Sequence, residues 1–182
     1  MDHQLGGYRA QARKRVVLCT LTVTLLIILF SSLQVTVLAR YRLFGATPDL
    51  MLCFVLCIFY FWGKYAGAVT GIAAGFVIEA IGGLGISVLP VVYMFYGYIG
   101  GAYARTIYPK RFFPYLFYLL CGVAVRAATT LLYACMTWET VHVPNIFIYS
   151  VLPEMGGTAI VGVILYFPMK LICYLVDRKT RA

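Results

Sequence analysis

The sequence predicts an all-α membrane protein of six transmembrane helices. Three observations carry that reading. First, 63% of the residues are hydrophobic and only 12% are charged. Soluble domains run near half apolar and a quarter charged, and the mean hydropathy is +0.90. Second, residues 16–39 and 80–104 contain no Asp, Glu, Lys or Arg. A spanning helix needs roughly 20 apolar residues, and both stretches reach that length. Third, the basic residues alternate between chain segments in a way that fixes the number of crossings.

The chain opens with a basic cytoplasmic arm, residues 1–15, holding Arg9, Arg13, Lys14 and Arg15. Span one follows at about 16–39. A signal peptide has an apolar region of only about 7–15 residues, so the longer run here reads as a retained helix. Span two, about 48–62, begins at Thr47-Pro48-Asp49. Thr47 can cap the helix, Pro48 suits its first position, and Asp49 suits the positive end of the helix dipole. Lys64 marks a tight turn, and span three runs over about 65–80. Gly82 to Gly85 makes the next turn.

Span four is about 86–104. A basic loop with Arg105, Lys110 and Arg111 follows, edged by aromatic residues suited to a membrane interface. Span five, about 112–138, carries Arg126 in mid-course. Glu139 to Asn145 is a polar loop. Residues 146–176 would make one helix of ~46 Å, too long for a ~30 Å hydrocarbon core. Pro153 divides that stretch into a short amphipathic or re-entrant piece and a last span, about 153–176. The membrane domain is thus 16–176, and residues 177–182 form a basic cytoplasmic tail.

Charge decides between one helix and two over residues 50–80. With six spans, the cytoplasmic flanks collect eleven Lys and Arg residues, from Arg9 through Lys64 and Arg105 to Arg181, against Arg40 and Arg42 outside. Five spans would put four inside and eight outside. Positive residues mark the cytoplasmic side, which favours six spans in a bacterial plasma membrane with both termini cytoplasmic. Spans two and three are short, which predicts a thinned or tilted local arrangement.

The net charge of +9 fits a membrane surface rather than nucleic acid in a chain this apolar. Six cysteines, at 19, 53, 57, 121, 135 and 173, all lie in apolar runs. They read as small buried hydrophobes. His3 and His142 lie in polar flanks, away from a four-ligand zinc set, so no metal or cofactor is expected. No H-E-x-x-H or G-x-S-x-G occurs, and no catalytic role is expected.

Glycines recur every fourth residue at 63, 67, 71 and 75. No Gly-Lys-Ser/Thr accompanies them, so a phosphate loop is not indicated. On a helix, Gly67, Gly71 and Gly75 make a slanting groove that lets another helix approach closely. Packing within the chain is the expected use, since six spans must first pack on one another. A docking face for a partner is the alternative.

Four ionisable residues lie in or near spans: Glu79, Arg126, Glu154 and Lys170. Intramembrane charge is costly and faces protein or water. Lys170 can snorkel to the inner end. Arg126, always charged, is expected to form an ion pair with Glu79 or Glu154, or else to contact a partner or substrate.

Several of these pieces together resemble the MreD family of bacterial rod-shape proteins. They are Thr47-Pro48-Asp49-Leu50, Trp62-Gly63 with Gly67, Gly75 followed by Glu79, Gly82-Gly83-Leu84-Gly85, Tyr96-Gly97-Tyr98, and Tyr166-Phe167-Pro168-Met169-Lys170. The resemblance covers roughly residues 16–178. The family usually has aspartate where Glu79 stands.

The resemblance implies six helices in a fold similar to the S-components of energy-coupling-factor vitamin transporters. It also implies a scaffold without chemistry of its own. Partners on that reading are an MreC-like bitopic protein, a RodA-like polymerase with its penicillin-binding transpeptidase, and, indirectly, MreB filaments. The alternative on the same fold is an S-component that takes up a vitamin. Those subunits typically carry Ala-x-x-x-Ala on span one, and residues 16–39 have no such pair.

Overall fold

A computed structural model describes residues 2–38, 40, 47–82, 88–107, 112–137, 147 and 151–181. The elements are α1 (Asp2–Leu33) running into a π-helical turn (Gln34–Leu38), α2 (Leu50–Trp62), α3 (Lys64–Gly82), α4 (Leu89–Ile107), α5 (Phe112–Thr137) and α6 (Leu152–Arg181). No strand occurs among the described residues. The turn at 83–85, the loop residues 108–111, the polar loop at 139–145 and most of the piece at 146–152 lie outside the described residues.

Four stretches are long and apolar enough to cross a membrane: Val16–Thr36 in α1, Lys64–Ile81 in α3, Phe112–Leu132 in α5 and Leu152–Arg178 in α6. Helix α2 has only 13 residues, about 20 Å at 1.5 Å per residue. Helix α4 has length, but its tyrosines and glycines dilute its apolar character.

The sequence reads 48–62 as a membrane span, and the structure makes the helix there, α2, the core. Every residue from Leu50 to Phe61 is buried. A helix that is hydrophobic all round belongs inside protein or lipid, and here the other helices enclose it. Phe54, Phe59, Met51, Leu56 and Ile58 are fully covered. The helix also starts two residues later than the Thr47 cap implies. Asp49 is the cap, and its Oδ1 accepts a hydrogen bond from the Leu52 amide at 3.1 Å. The shorter side-chain reach of an aspartate next to the first turn satisfies one of the orphan N–H groups.

Gly63 ends α2 at φ 96° and ψ −175°, a region open to glycine and strained for residues with a β-carbon. Its N–H donates to the Phe59 carbonyl at 2.9 Å, and its own carbonyl accepts from Gly67 at 3.0 Å. One residue therefore closes α2 and opens α3. Lys64 is the first residue of α3, and its Nζ lies over the rings of Tyr65 and Tyr98, 5.1 and 5.4 Å from their centroids.

At the same end of the bundle, α2, α5 and α6 meet through rings. Tyr115 and Tyr166 have centroids 4.6 Å apart, Phe112 and Tyr166 5.3 Å, and Phe61 and Tyr166 5.8 Å. The Tyr115 hydroxyl donates to the Gly162 carbonyl at 2.7 Å, so this buried phenol keeps a partner, as burial requires. Helix α6 continues through Pro168 to Arg181. Lys170 is exposed, with its Nζ 5.7 Å from the Tyr166 ring centroid.

Candidate functional site

The glycine ridge faces α4. A β-carbon at Gly71 would come within 2.6 Å of the Tyr93 carbonyl carbon, and one at Gly75 within 2.6 Å of the Pro90 nitrogen. One at Gly67 would lie 2.8 Å from the Gly97 carbonyl oxygen. Real β-carbons do not approach so closely, so all three positions need glycine for the two backbones to touch. Gly101 of α4 extends the seam at the other end, where a β-carbon would be 2.5 Å from the Lys64 Cα. The small-residue surface is thus spent on α3–α4 packing within the chain. Dispersion at close range is a main force between helices in lipid.

The ionisable residues separate into two groups. Glu79 sits near the end of α3, and its Oε1 accepts the Leu89 amide at 2.8 Å. It caps the N-terminus of α4, where the helix dipole favours a carboxylate. No contact links it to Arg126 among the described residues, so of the two expected partners only Glu154 is found.

Arg126 meets two acids rather than one. Its Nε is 3.1 Å from Asp49 Oδ2 and 3.4 Å from Glu154 Oε1. The Nε–H itself makes no hydrogen bond of good geometry. Glu154 lies in the first turn of α6. Asp49 is 2% exposed, while the Arg126 and Glu154 side chains retain 20% and 18%.

Asp49 is the most completely held of the three. Its Oδ2 also accepts the Tyr93 hydroxyl from α4. Its backbone N–H donates to Thr158 Oγ1 of α6 at 3.0 Å. Thr158 is itself 2% exposed, and its carbonyl accepts from Cys53 Sγ at 3.4 Å. Four helices are therefore tied at one point: α2 through its cap, α4 through Tyr93, α5 through Arg126 and α6 through Glu154 and Thr158.

The depth of this junction follows from helix rise. Asp49 to Trp62, Tyr93 to Ile107 and Phe112 to Arg126 each span about 20 Å. The charges therefore lie toward one end of the bundle, opposite the aromatic cluster. Two acids and one base leave a formal imbalance. The N-termini of α2 and α6 offset it, each being worth about half a positive charge.

Both carboxylates face Arg126, and the nearest thiol, that of Cys53, donates to the Thr158 carbonyl. Cys57 Sγ is 3.5 Å from the Tyr115 hydroxyl. Among the described residues no three His, Cys, Asp or Glu side chains converge as a metal site would require.

Asp49, Tyr93 and Thr158 are the members that sequence reasoning misses. Asp49 is visible as a helix-start acid, but not as the counter-ion of a residue far along the chain. Tyr93 and Thr158 sit in apolar runs with no spacing that marks them. Comparison with family models, with curated proteins and with solved structures finds no match.

Proposed function

We propose that this chain is a non-catalytic membrane scaffold of the bacterial rod-shape machinery, joining an MreC-like bitopic protein to a RodA-like polymerase and its transpeptidase. In this reading all six helices lie in the plasma membrane with both termini cytoplasmic, and α2 crosses inside a sleeve of its own chain. The short α2 is consistent with such a sleeve, because a buried helix need not match the hydrocarbon thickness.

One observation carries the proposal. The residues on which the resemblance to the MreD family rests include those that build the interior. Asp49 anchors the four-helix junction, Gly63 makes the α2–α3 turn, and Gly67, Gly75 and Gly97 make the α3–α4 seam. A resemblance carried by interior-building residues supports a shared architecture. The commitment of the buried polar groups to one another supports a structural rather than a catalytic role.

Affinity purification from native membranes tests it. Co-purification of an MreC-like protein with a RodA-like polymerase is the expected outcome. Recovery with a pair of ATPase subunits instead would overturn it in favour of vitamin uptake.

A further inference from the structure

The ion pair is not fully sealed. Arg126 and Glu154 keep 20% and 18% of their side-chain surface exposed, while Asp49 keeps 2%. That exposed edge lies at membrane depth. Arg126 is about 9 Å inside the Leu132 end of the apolar stretch of α5, at 1.5 Å per residue. Val125 and Leu132 are exposed on the same helix, about 100–120° round from Arg126, so lipid has a face of its own there. A charged side chain inside a bilayer faces protein or water rather than acyl chains. Something polar therefore covers the exposed edge of the pair.

Charge selects what that is. Arg126 is already opposed by Asp49 and Glu154, and the N-termini of α2 and α6 offset the second acid. A further cation or anion would leave the junction charged, whereas a neutral polar molecule preserves the balance. The donors and acceptors suit water. The Arg126 Nε–H is buried without a hydrogen bond of good geometry. Thr129 and Thr130 lie on the Arg126 side of α5, three and four residues further along, and both are half-buried. Their hydroxyls donate to the Val125 and Arg126 carbonyls at 2.8 and 3.1 Å, and each oxygen keeps lone pairs that accept from water. An ordered water needs roughly two to four such partners. A polar track thus leads from Arg126 toward the C-terminal end of α5, the extracytoplasmic end in the six-span reading.

We propose that water enters the bundle from the extracytoplasmic end along Thr130 and Thr129 and reaches the exposed edge of Arg126 and Glu154. The inlet hydrates the ion pair at membrane depth, while Asp49 behind it stays dry. It rests on the membrane reading of the chain and its orientation, but not on the identity of its protein partners.

Solid-state NMR of the full chain in proteoliposomes, with isotope-labelled arginine, tests it. Polarisation from mobile water should reach the Arg126 guanidinium, assigned by its loss in Arg126→Lys, about as fast as it reaches the exposed Arg178. Thiol labelling in spheroplasts gives the direction and needs no change at Arg126. In a chain with Cys19, Cys121 and Cys135 replaced by alanine, Thr129→Cys and Thr130→Cys should react with a membrane-impermeant reagent added outside. The rate should be at least tenfold that of Leu132→Cys, which is exposed on the apolar side of α5. Sedimentation of the chain with membranes tests the membrane reading separately. In a chain that does sediment, polarisation reaching Arg126 from acyl chains rather than water would overturn the inlet. Threonine-site cysteines that react no faster than Leu132→Cys, or that react only from the cytoplasmic side, would overturn it as well.

Discussion

Arg126 Nε lies 3.1 Å from Asp49 Oδ2, joining the middle of α5 to the N-cap of the buried helix α2. The same nitrogen lies 3.4 Å from Glu154. Arg126 is thus the common counter-ion of two acids on two other helices. Removing it strands both. Breaking a buried pair typically costs about 3–5 kcal/mol, so Arg126→Gln should fall in or above that range in thermal or denaturant unfolding in detergent. Removing all three charges together, as D49N/R126Q/E154Q, should cost less than R126Q alone, because no unpaired ion remains. Equal or greater loss in the triple variant would contradict the shared-counter-ion reading.

A simple charge exchange between Arg126 and Glu154 should fail to restore the protein. The exchanged R126E side chain would sit beside Asp49, and two carboxylates would face each other across a buried gap. Recovery of wild-type yield by the R126E/E154R pair would show that Asp49 contributes little.

The α3–α4 seam makes a contrast between two glycines. Gly71→Leu should abolish recovery of monodisperse protein, since even a β-carbon there overlaps the Tyr93 backbone. Gly156→Ala should be tolerated or slightly stabilising. A β-carbon there meets nothing within 4 Å, and alanine is the better helix former. Equal behaviour of the two variants in size-exclusion chromatography would contradict the close-packed seam.

Gly63→Ala tests the turn. At φ 96° a β-carbon is strained, and such positions cost about 1–3 kcal/mol. The midpoint of thermal unfolding should fall accordingly, and no change would mean that the turn adjusts freely.

Thr158→Val leaves the buried Asp49 N–H without its acceptor. An unsatisfied buried donor costs about 1–3 kcal/mol. Thr158→Ser keeps the hydroxyl and should recover most of the loss. A serine variant as unstable as the valine variant would assign the effect to packing instead.

The helices were largely legible in the sequence because apolar runs and turn residues act locally. Lys64 and Gly63 mark the α2–α3 boundary, and the Gly67–Gly71–Gly75 spacing marks a close-packing face. Hydropathy could not show that α2 is enclosed by protein, since lipid and protein interiors favour the same residues. The junction was only half legible. Arg126 and Glu154 stand out as charges in apolar runs, but Asp49 has a complete local explanation as a cap. Its second role depends on tertiary placement, as do those of Tyr93 and Thr158. Glu79 shows the converse, since it is conspicuous in the sequence yet its contact among the described residues is the cap on α4.

The role proposed for the chain is support of lateral wall growth without chemistry of its own. It is tested most directly by depleting the protein in its native host and imaging incorporation of a fluorescent D-amino acid. The account predicts that cells lose rod shape, that label disappears from the side wall, and that vitamin uptake is unchanged. Cells that stay rod-shaped with normal side-wall labelling would contradict it.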